Sequence, residues 1–174
     1  LGREKEKLAE TKYLIDETHS NSNVKIYVCD ISSEKSIDKC FLKIHKSFSK
    51  IFGLVNNAGI NLAREDIVHT NVDDWKSVLE TNLSGTYYLT KKTIPLMIEE
   101  KEGSIVNISS IAGILGMRNR FSYSVTKSAL LGFTRSISVD YAEYKEFSYR
   151  RHLPIWQLHD LQSLDQLTPT STHS

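Results

Sequence analysis

The stretch Ser110-Ile-Ala-Gly-Ile-Leu-Gly-Met-Arg-Asn-Arg-Phe-Ser-Tyr123-Ser-Val-Thr-Lys127 decides how this 174-residue chain is read. Tyr123 and Lys127 stand four residues apart, one helical turn, so both side chains share a face if the segment is helical. A free phenol ionises at about pH 10 and is a poor acid or base near neutrality. A neighbouring ammonium favours the phenolate. A Tyr/Lys pair on one turn therefore makes a proton donor suited to a carbonyl oxygen. The spacing alone is common by chance, and a core Tyr beside a solvated Lys satisfies it equally.

The surroundings add weight. Ser110 follows Ser104-Ile-Val-Asn-Ile-Ser109, a short strand-like run, and a Gly-containing loop joins it to the helix of Tyr123. Upstream, Leu54-Val55-Asn56-Asn57-Ala58-Gly59 is an apolar strand that ends in Asn-Asn-Ala-Gly, and Thr81-Asn82-Leu-Ser-Gly85 lies between the two. In this order and at these spacings the motifs resemble the short-chain dehydrogenase/reductase family, from about Arg3 to about Tyr144. Within it they are most similar to 3-oxoacyl-acyl-carrier-protein reductases and related alcohol or steroid dehydrogenases.

The resemblance implies an α/β fold: a Rossmann-like doubly wound parallel sheet with helices on both faces. It implies reversible carbonyl reduction with NADP or NAD, acting on a small-molecule carbonyl or alcohol. Tyr123 is then the proton donor. Lys127 is its electrostatic partner and holds the nicotinamide ribose, Ser110 polarises the substrate carbonyl, and Asn82 distorts its helix and holds a relay water. Cofactor contacts are implied for Arg3, Asp30, Asn56, Ala58 and Gly59 as well as for Tyr123 and Lys127. Asp30 reads nearly as well as an acidic strand-end cap. Arg3 points to the 2′-phosphate of NADP, with an ordinary surface Arg as the plain alternative. Ser110 is preferred to Ser109 because its distance from Tyr123 matches the family. In the family, the helices of Asn82 and Tyr123 meet a partner subunit, which implies a homodimer or homotetramer for the complete protein.

Composition excludes other classes. A net charge of +1, with 25% charged and 40% apolar residues, fits one soluble domain and leaves no electrostatic footprint for nucleic acid or an anionic membrane. No apolar run approaches the roughly 20 residues of a spanning helix. Cys29 and Cys40 lack C-x-x-C spacing and fit a reduced, cytoplasmic setting. The six His show no metal-ligand spacing, so no metal site is expected. Asn82-Leu-Ser and Asn107-Ile-Ser match the glycosylation sequon but fall in elements expected to be buried, and are read as chance.

In chain order, Arg3 to Thr18 predicts a surface helix with Leu8, Leu14 and Ile15 as its stripe. Val24 to Val28 predicts a strand. Ser32 and Ser33 predict a cap for a helix whose buried face is Ile37, Phe41, Ile44 and Phe48. Ile51 to Val55, apolar almost throughout, predicts a parallel strand covered on both faces. Asn56, Ala58 and Gly59 then fall at its carboxyl end, where open α/β sheets bind ligands. Asp73 or Asp74 is expected to open a long helix through Asn82 towards Pro95, a position that bends helices. Ser104 to Ile108 predicts a strand, and Ser122 to Tyr144 the last helix.

Two departures from the family pattern stand out. The family opens on a strand, a Gly-rich turn and a helix N-terminus that holds the pyrophosphate; here Leu1-Gly2-Arg3 looks like the tail of the second strand. At the other end, every Lys lies at or before Lys145, whereas Gln157, Gln162 and Gln166 are the only glutamines. The organisation read from this is a partial dinucleotide-binding domain over 1–145, lacking the first two strands and the last. Residues 146–174 form a tail outside the family pattern and read as disordered, with frame-shifted or misjoined coding favoured over genuine divergence. Without its neighbours the Val24 to Val28 strand is expected to be unpaired, and the chain alone marginal or prone to aggregate. The rival to an oxidoreductase is an inert fragment acting at most as an interaction module.

Overall fold

The structure is a computed structural model and describes residues 1–19, 23–62 and 64–142 together with the strand 147–148. Its centre is a parallel sheet. Strand β1 (Gly53–Asn56) lies beside β2 (Gly103–Asn107) with Leu54 opposite Ile105 and Asn56 opposite Asn107. A two-residue strand β3 (Phe147–Ser148) pairs with the other edge of β2, so the order is β1-β2-β3. This strand extends the sheet past Lys145, beyond the expected end of the regular structure. Parallel pairing across a helical connection places it there, on backbone groups of β2 that would otherwise lack partners.

Helices flank the sheet. Helix α1 (Lys5–Thr18) buries no residue fully. Leu8 packs over Gly2 and Ile15 is half-buried, while Leu14 is 55% exposed, so the expected stripe is narrower than its sequence period. In helix α2 (Glu34–Ser47) the Ser33 side chain caps the first turn by accepting from the Ser36 N–H, and Ile37, Cys40 and Phe41 are buried. Helix α3 (Val72–Leu79) is capped by Asn71, whose side chain accepts from Asp73 N–H. Asp73 and Asp74 sit instead in the first turn, where their charge faces the free N–H groups. A five-residue π segment, Glu80–Ser84, joins α3 to α4 (Gly85–Glu99), and α4 continues through Pro95. Helix α5 (Phe121–Asp140) follows β2 after a short 3-10 turn, Ile111–Gly113.

Two apolar clusters hold these layers together. Cys29, Ile31, Ile37, Cys40, Phe41 and Leu89 join α2 to α4, and Ile94, Met97 and Ile105 join α4 to β2. Both cysteines are free, and burial pushes the Cys40 thiol up to about 11, with Cys29 beside it adding to the shift. Asn82 and Asn107, the two sequon asparagines, are 1% and 6% exposed, so neither offers a surface acceptor.

The predicted strand Val24 to Val28 is reduced to a single parallel bridge, Gly2 with Val28, closed by the Cys29 N–H donating to the Gly2 carbonyl at 2.8 Å. Among the described residues β1 has no strand on its second edge. Between that edge and the Gly2–Val28 bridge lies a groove of about 600 Å³. Val55 on its wall is 63% exposed, which corrects the expectation of a strand covered on both faces. The apolar run is there; the element that would cover Val55 is not among those described.

Candidate active site

The site is assembled from the segments that follow β1 and β2, the π segment and helix α5. The loop after β1, Asn57 to Ile60, is held down by one amide. Asn82 Oδ1 accepts from the Ile60 N–H at 2.7 Å, and Asn82 Nδ2 donates to the Ile60 carbonyl at 2.9 Å and to Thr126 Oγ1 at 3.1 Å. A side-chain amide thus takes both backbone bonds of Ile60, as a neighbouring strand would. Asn82 can do so because it lies in the π segment, where one extra residue per turn swings its side chain out of the regular ladder. The helix distortion implied by the family resemblance is therefore present in the backbone.

Lys127 is 5% exposed, and its Nζ donates to the Ile108 carbonyl at 2.8 Å. Burial holds its ammonium below the ordinary lysine range. The same Nζ lies 5.6 Å from the Tyr123 ring centroid, which confirms that the two share a face of α5. Tyr123 is half-buried and borders a small recess with Asn61, Leu62, Arg120 and Ser122. The entry of α5 is pinned by Trp75, whose ring stacks on Phe121 at 5.5 Å.

The two adjacent serines have different surroundings. Ser109 is buried, and its hydroxyl donates to the Lys127 carbonyl at 2.8 Å. Ser110 is half-buried; its Oγ accepts from the Ala112 N–H at 3.2 Å and caps the 3-10 turn. Ser109 is thus committed to α5, whereas the Ser110 hydroxyl keeps its proton for another acceptor.

The 3-10 turn packs closely onto α5. A Cβ at Gly113 would lie 2.8 Å from the Lys127 carbonyl and from Ser109 Oγ, and Ser128 Oγ donates to the Gly113 carbonyl at 2.8 Å. Gly113→Ala is expected to destabilise the chain by about 1–3 kcal/mol. Gly132→Ala, in the middle of α5 with nothing within 4 Å, is expected to stabilise it by about 0.5–1 kcal/mol. Urea midpoints moving in opposite directions would bear this out; two equal shifts would contradict it.

Of the seven residues expected at the cofactor, Arg3, Asp30, Asn56, Ala58 and Gly59 line the 600 Å³ groove, whereas Tyr123 and Lys127 are not in its lining. Asp30 also does the capping work that was its alternative reading, since its Oδ1 accepts from Ser32 N–H at 3.0 Å and from Ser32 Oγ at 2.7 Å. Asn56 is 6% exposed and its Oδ1 has no partner, an acceptor that awaits a donor. At Gly59 a side chain would come within 3.2 Å of Asn82 Oδ1 and 3.7 Å of Lys127 Nζ, so a small residue keeps the way open from the groove to Lys127. These features fit a dinucleotide. Among the described residues no group of three or more His, Cys, Asp or Glu could hold a metal ion.

A family model described as short chain dehydrogenase matches residues 1–145. The chain belongs to this family. Among its relatives is the 3-oxoacyl-[acyl-carrier-protein] reductase of Aquifex aeolicus, 37% identical over 134 residues, covering 75% of this chain and 53% of that protein. Among solved structures, NAD+-bound xylitol dehydrogenase matches with TM-score 0.78 at 30% identity, covering 85% of this chain and 55% of the other. ElxO with NADP bound matches with TM-score 0.70 at 34% identity, covering 78% and 55%. This short-chain dehydrogenase chain thus spans about half the length of the proteins it matches. Sequence reading missed Thr126, Thr134 and the role of Ser109: isolated hydroxyl residues carry no periodic signal, and their use appears only when helix and strand are packed together.

Proposed function

We propose that the protein containing this chain is an NAD(P)(H)-dependent oxidoreductase that interconverts a carbonyl and an alcohol on a small molecule. The observation that carries the reading is the convergence of Tyr123, Lys127 and Asn82 on the far side of Gly59 from a groove lined by Arg3, Asp30, Asn56 and Ala58. The nicotinamide cofactor supplies the hydride. The residues of this chain supply the rest. Tyr123 gives its proton to the developing alkoxide oxygen. Lys127 favours negative charge on the phenol oxygen and holds the cofactor ribose, and Ser110 donates a hydrogen bond to the substrate oxygen. Asn82 holds the Ile60 backbone and anchors a relay water. Arg3 favours NADP, and relatives named 3-oxoacyl-[acyl-carrier-protein] reductase support a 3-oxoacyl thioester as substrate. A homodimer or homotetramer in the cytoplasm completes the reading; no helix among the described residues is long and apolar enough to cross a membrane.

The open edge of β1 favours a second reading, a chain that binds no cofactor by itself and serves at most as an interaction module. Titration of NADPH fluorescence with the 174-residue chain separates the two. Saturable binding at micromolar concentration supports the oxidoreductase in this chain alone. No binding here, with binding restored in a chain extended to the length of its relatives, assigns the activity to the longer protein. No binding in either removes the oxidoreductase reading.

A further inference from the structure

We propose that Asn107, Ile108 and Ser109, consecutive at the carboxyl end of β2, act with Thr134 as a clamp that fixes α5 along its axis and so sets the reach of Lys127. The inference rests on the part proposed above for Lys127, and it concerns residues given no part in the chemistry. Three successive residues each grip the same helix. Asn107 Nδ2 donates to Thr134 Oγ1 at 3.1 Å, and that hydroxyl donates onward to the Leu130 carbonyl at 2.7 Å. The Ile108 carbonyl accepts from Lys127 Nζ at 2.8 Å, and Ser109 Oγ donates to the Lys127 carbonyl at 2.8 Å. Strand alternation accounts for the two side chains, since residues 107 and 109 face the same way; Ile108 lies past the last residue of β2, and its carbonyl accepts from Lys127.

The clamp is anchored on its other side. Asn56 Nδ2 donates to Asn107 Oδ1 at 2.8 Å and to Thr90 Oγ1 at 3.2 Å. A polar chain therefore runs along one face of the sheet, from Thr90 on α4 through Asn56 on β1 and Asn107 on β2 to Thr134 on α5. Thr90 is 1% exposed and both asparagines 6%, so the bonds from Asn56 to Thr90 and to Asn107 are made where water cannot replace them, while Thr134 at the end of the chain is half-buried. Lys127 and Thr134 are two turns apart, a rise of about 10 Å. Two grips at that separation oppose both sliding and rotation of α5. A slip of the helix would carry Lys127 away from the Ile108 carbonyl and would move Tyr123, on the same helix, with it. Asn107, Ser109 and Thr134 are thus positioning residues.

The test reads the amine itself and not turnover, so its failure is distinct from failure of the catalytic reading. The full 174-residue chain is trace-labelled at its lysines with acetic anhydride and the sites are quantified by mass spectrometry. Lys127 is expected to react at least tenfold more slowly than exposed Lys101. Thr134→Val, which keeps shape and removes the hydroxyl, should raise labelling of Lys127 at least fivefold relative to Lys101, and Ser109→Ala should do the same. Thr134→Ser should retain the protection. Met97→Ala, a core truncation in the cluster of Ile94 and Ile105, should lower the melting temperature without selectively exposing Lys127. The clamp is overturned if Lys127 matches Lys101 in the unaltered chain, or if Thr134→Val leaves it protected. It is also overturned if Thr134→Ser or Met97→Ala exposes it as much as Thr134→Val does.

Discussion

Tyr123→Phe, made in a chain extended to the length of its relatives, is expected to lower carbonyl-dependent NAD(P)H oxidation by about 10²–10⁴-fold, the usual contribution of a positioned general acid. The substitution removes one oxygen and keeps the ring, so the packing 5.6 Å from Lys127 Nζ is preserved. Tyr123 is half-buried, and loss of its hydroxyl strands no buried partner, so stability should change by less than about 0.5 kcal/mol. The combination matters: a steady-state assay collapses while the melting curve stays in place, and cofactor affinity is retained. Turnover within tenfold of the parent would remove Tyr123 from the role of acid.

Asn82→Leu is expected to damage both fold and activity. The replacement is close in volume but supplies neither acceptor nor donor. It leaves the Ile60 N–H and carbonyl without the partners found at 2.7 and 2.9 Å, and removes the donor 3.1 Å from Thr126 Oγ1, whose own bond to the Tyr123 carbonyl stays. Each buried group left unsatisfied costs about 1–3 kcal/mol, and water reaching half-buried Ile60 offsets part of that. A loss of about 2–4 kcal/mol in chemical denaturation follows. Hydrogen exchange should localise it, with the Ile60 amide losing its protection first. A Leu variant within about 0.5 kcal/mol of the parent, with Ile60 still protected, would show that the π segment holds its shape without the amide.

These two residues also show what the sequence could and could not disclose. Tyr123 and Lys127 were legible because helical spacing is a local property, and one turn of α5 delivers it. The strand positions around Leu54 and Ile105 were legible for a similar reason: an apolar run bounded by Gly and Asn has few alternatives. The Val24 to Val28 strand was mispredicted in extent, because β propensity needs a neighbour to act on and, among the described residues, Gly2 alone pairs with it. Cap position also misled: Asp73 and Asp74 looked like the helix start, but Asn71 makes the cap at 2.7 Å and leaves the acids to the first turn. The division of labour between Ser109 and Ser110 lies in which face of the strand end each occupies, and only the packed helix decides that. Of the tail 146–174 only the strand 147–148 is among the described residues, so its reading as a frame-shifted or divergent segment stands as an expectation.

The open groove beside β1 has a physical consequence as well. Among the described residues β1 is an edge strand, with Val55 and the adjoining Phe52 exposed, and an edge of this kind is a site for association. The same groove is lined by Arg3, Asp30, Asn56, Ala58 and Gly59, five of the residues proposed for the cofactor.

The most direct measurement is transfer of deuterium from NAD(P)H labelled at the nicotinamide C4 position to a ketone or 3-oxoacyl thioester, followed by mass spectrometry of the alcohol. It is made in a chain extended to the length of its relatives. The account predicts one deuterium at the carbinol carbon, lost in the Tyr123→Phe variant. An extended, folded chain that binds the cofactor yet transfers no deuterium to any of a panel of carbonyls would contradict it.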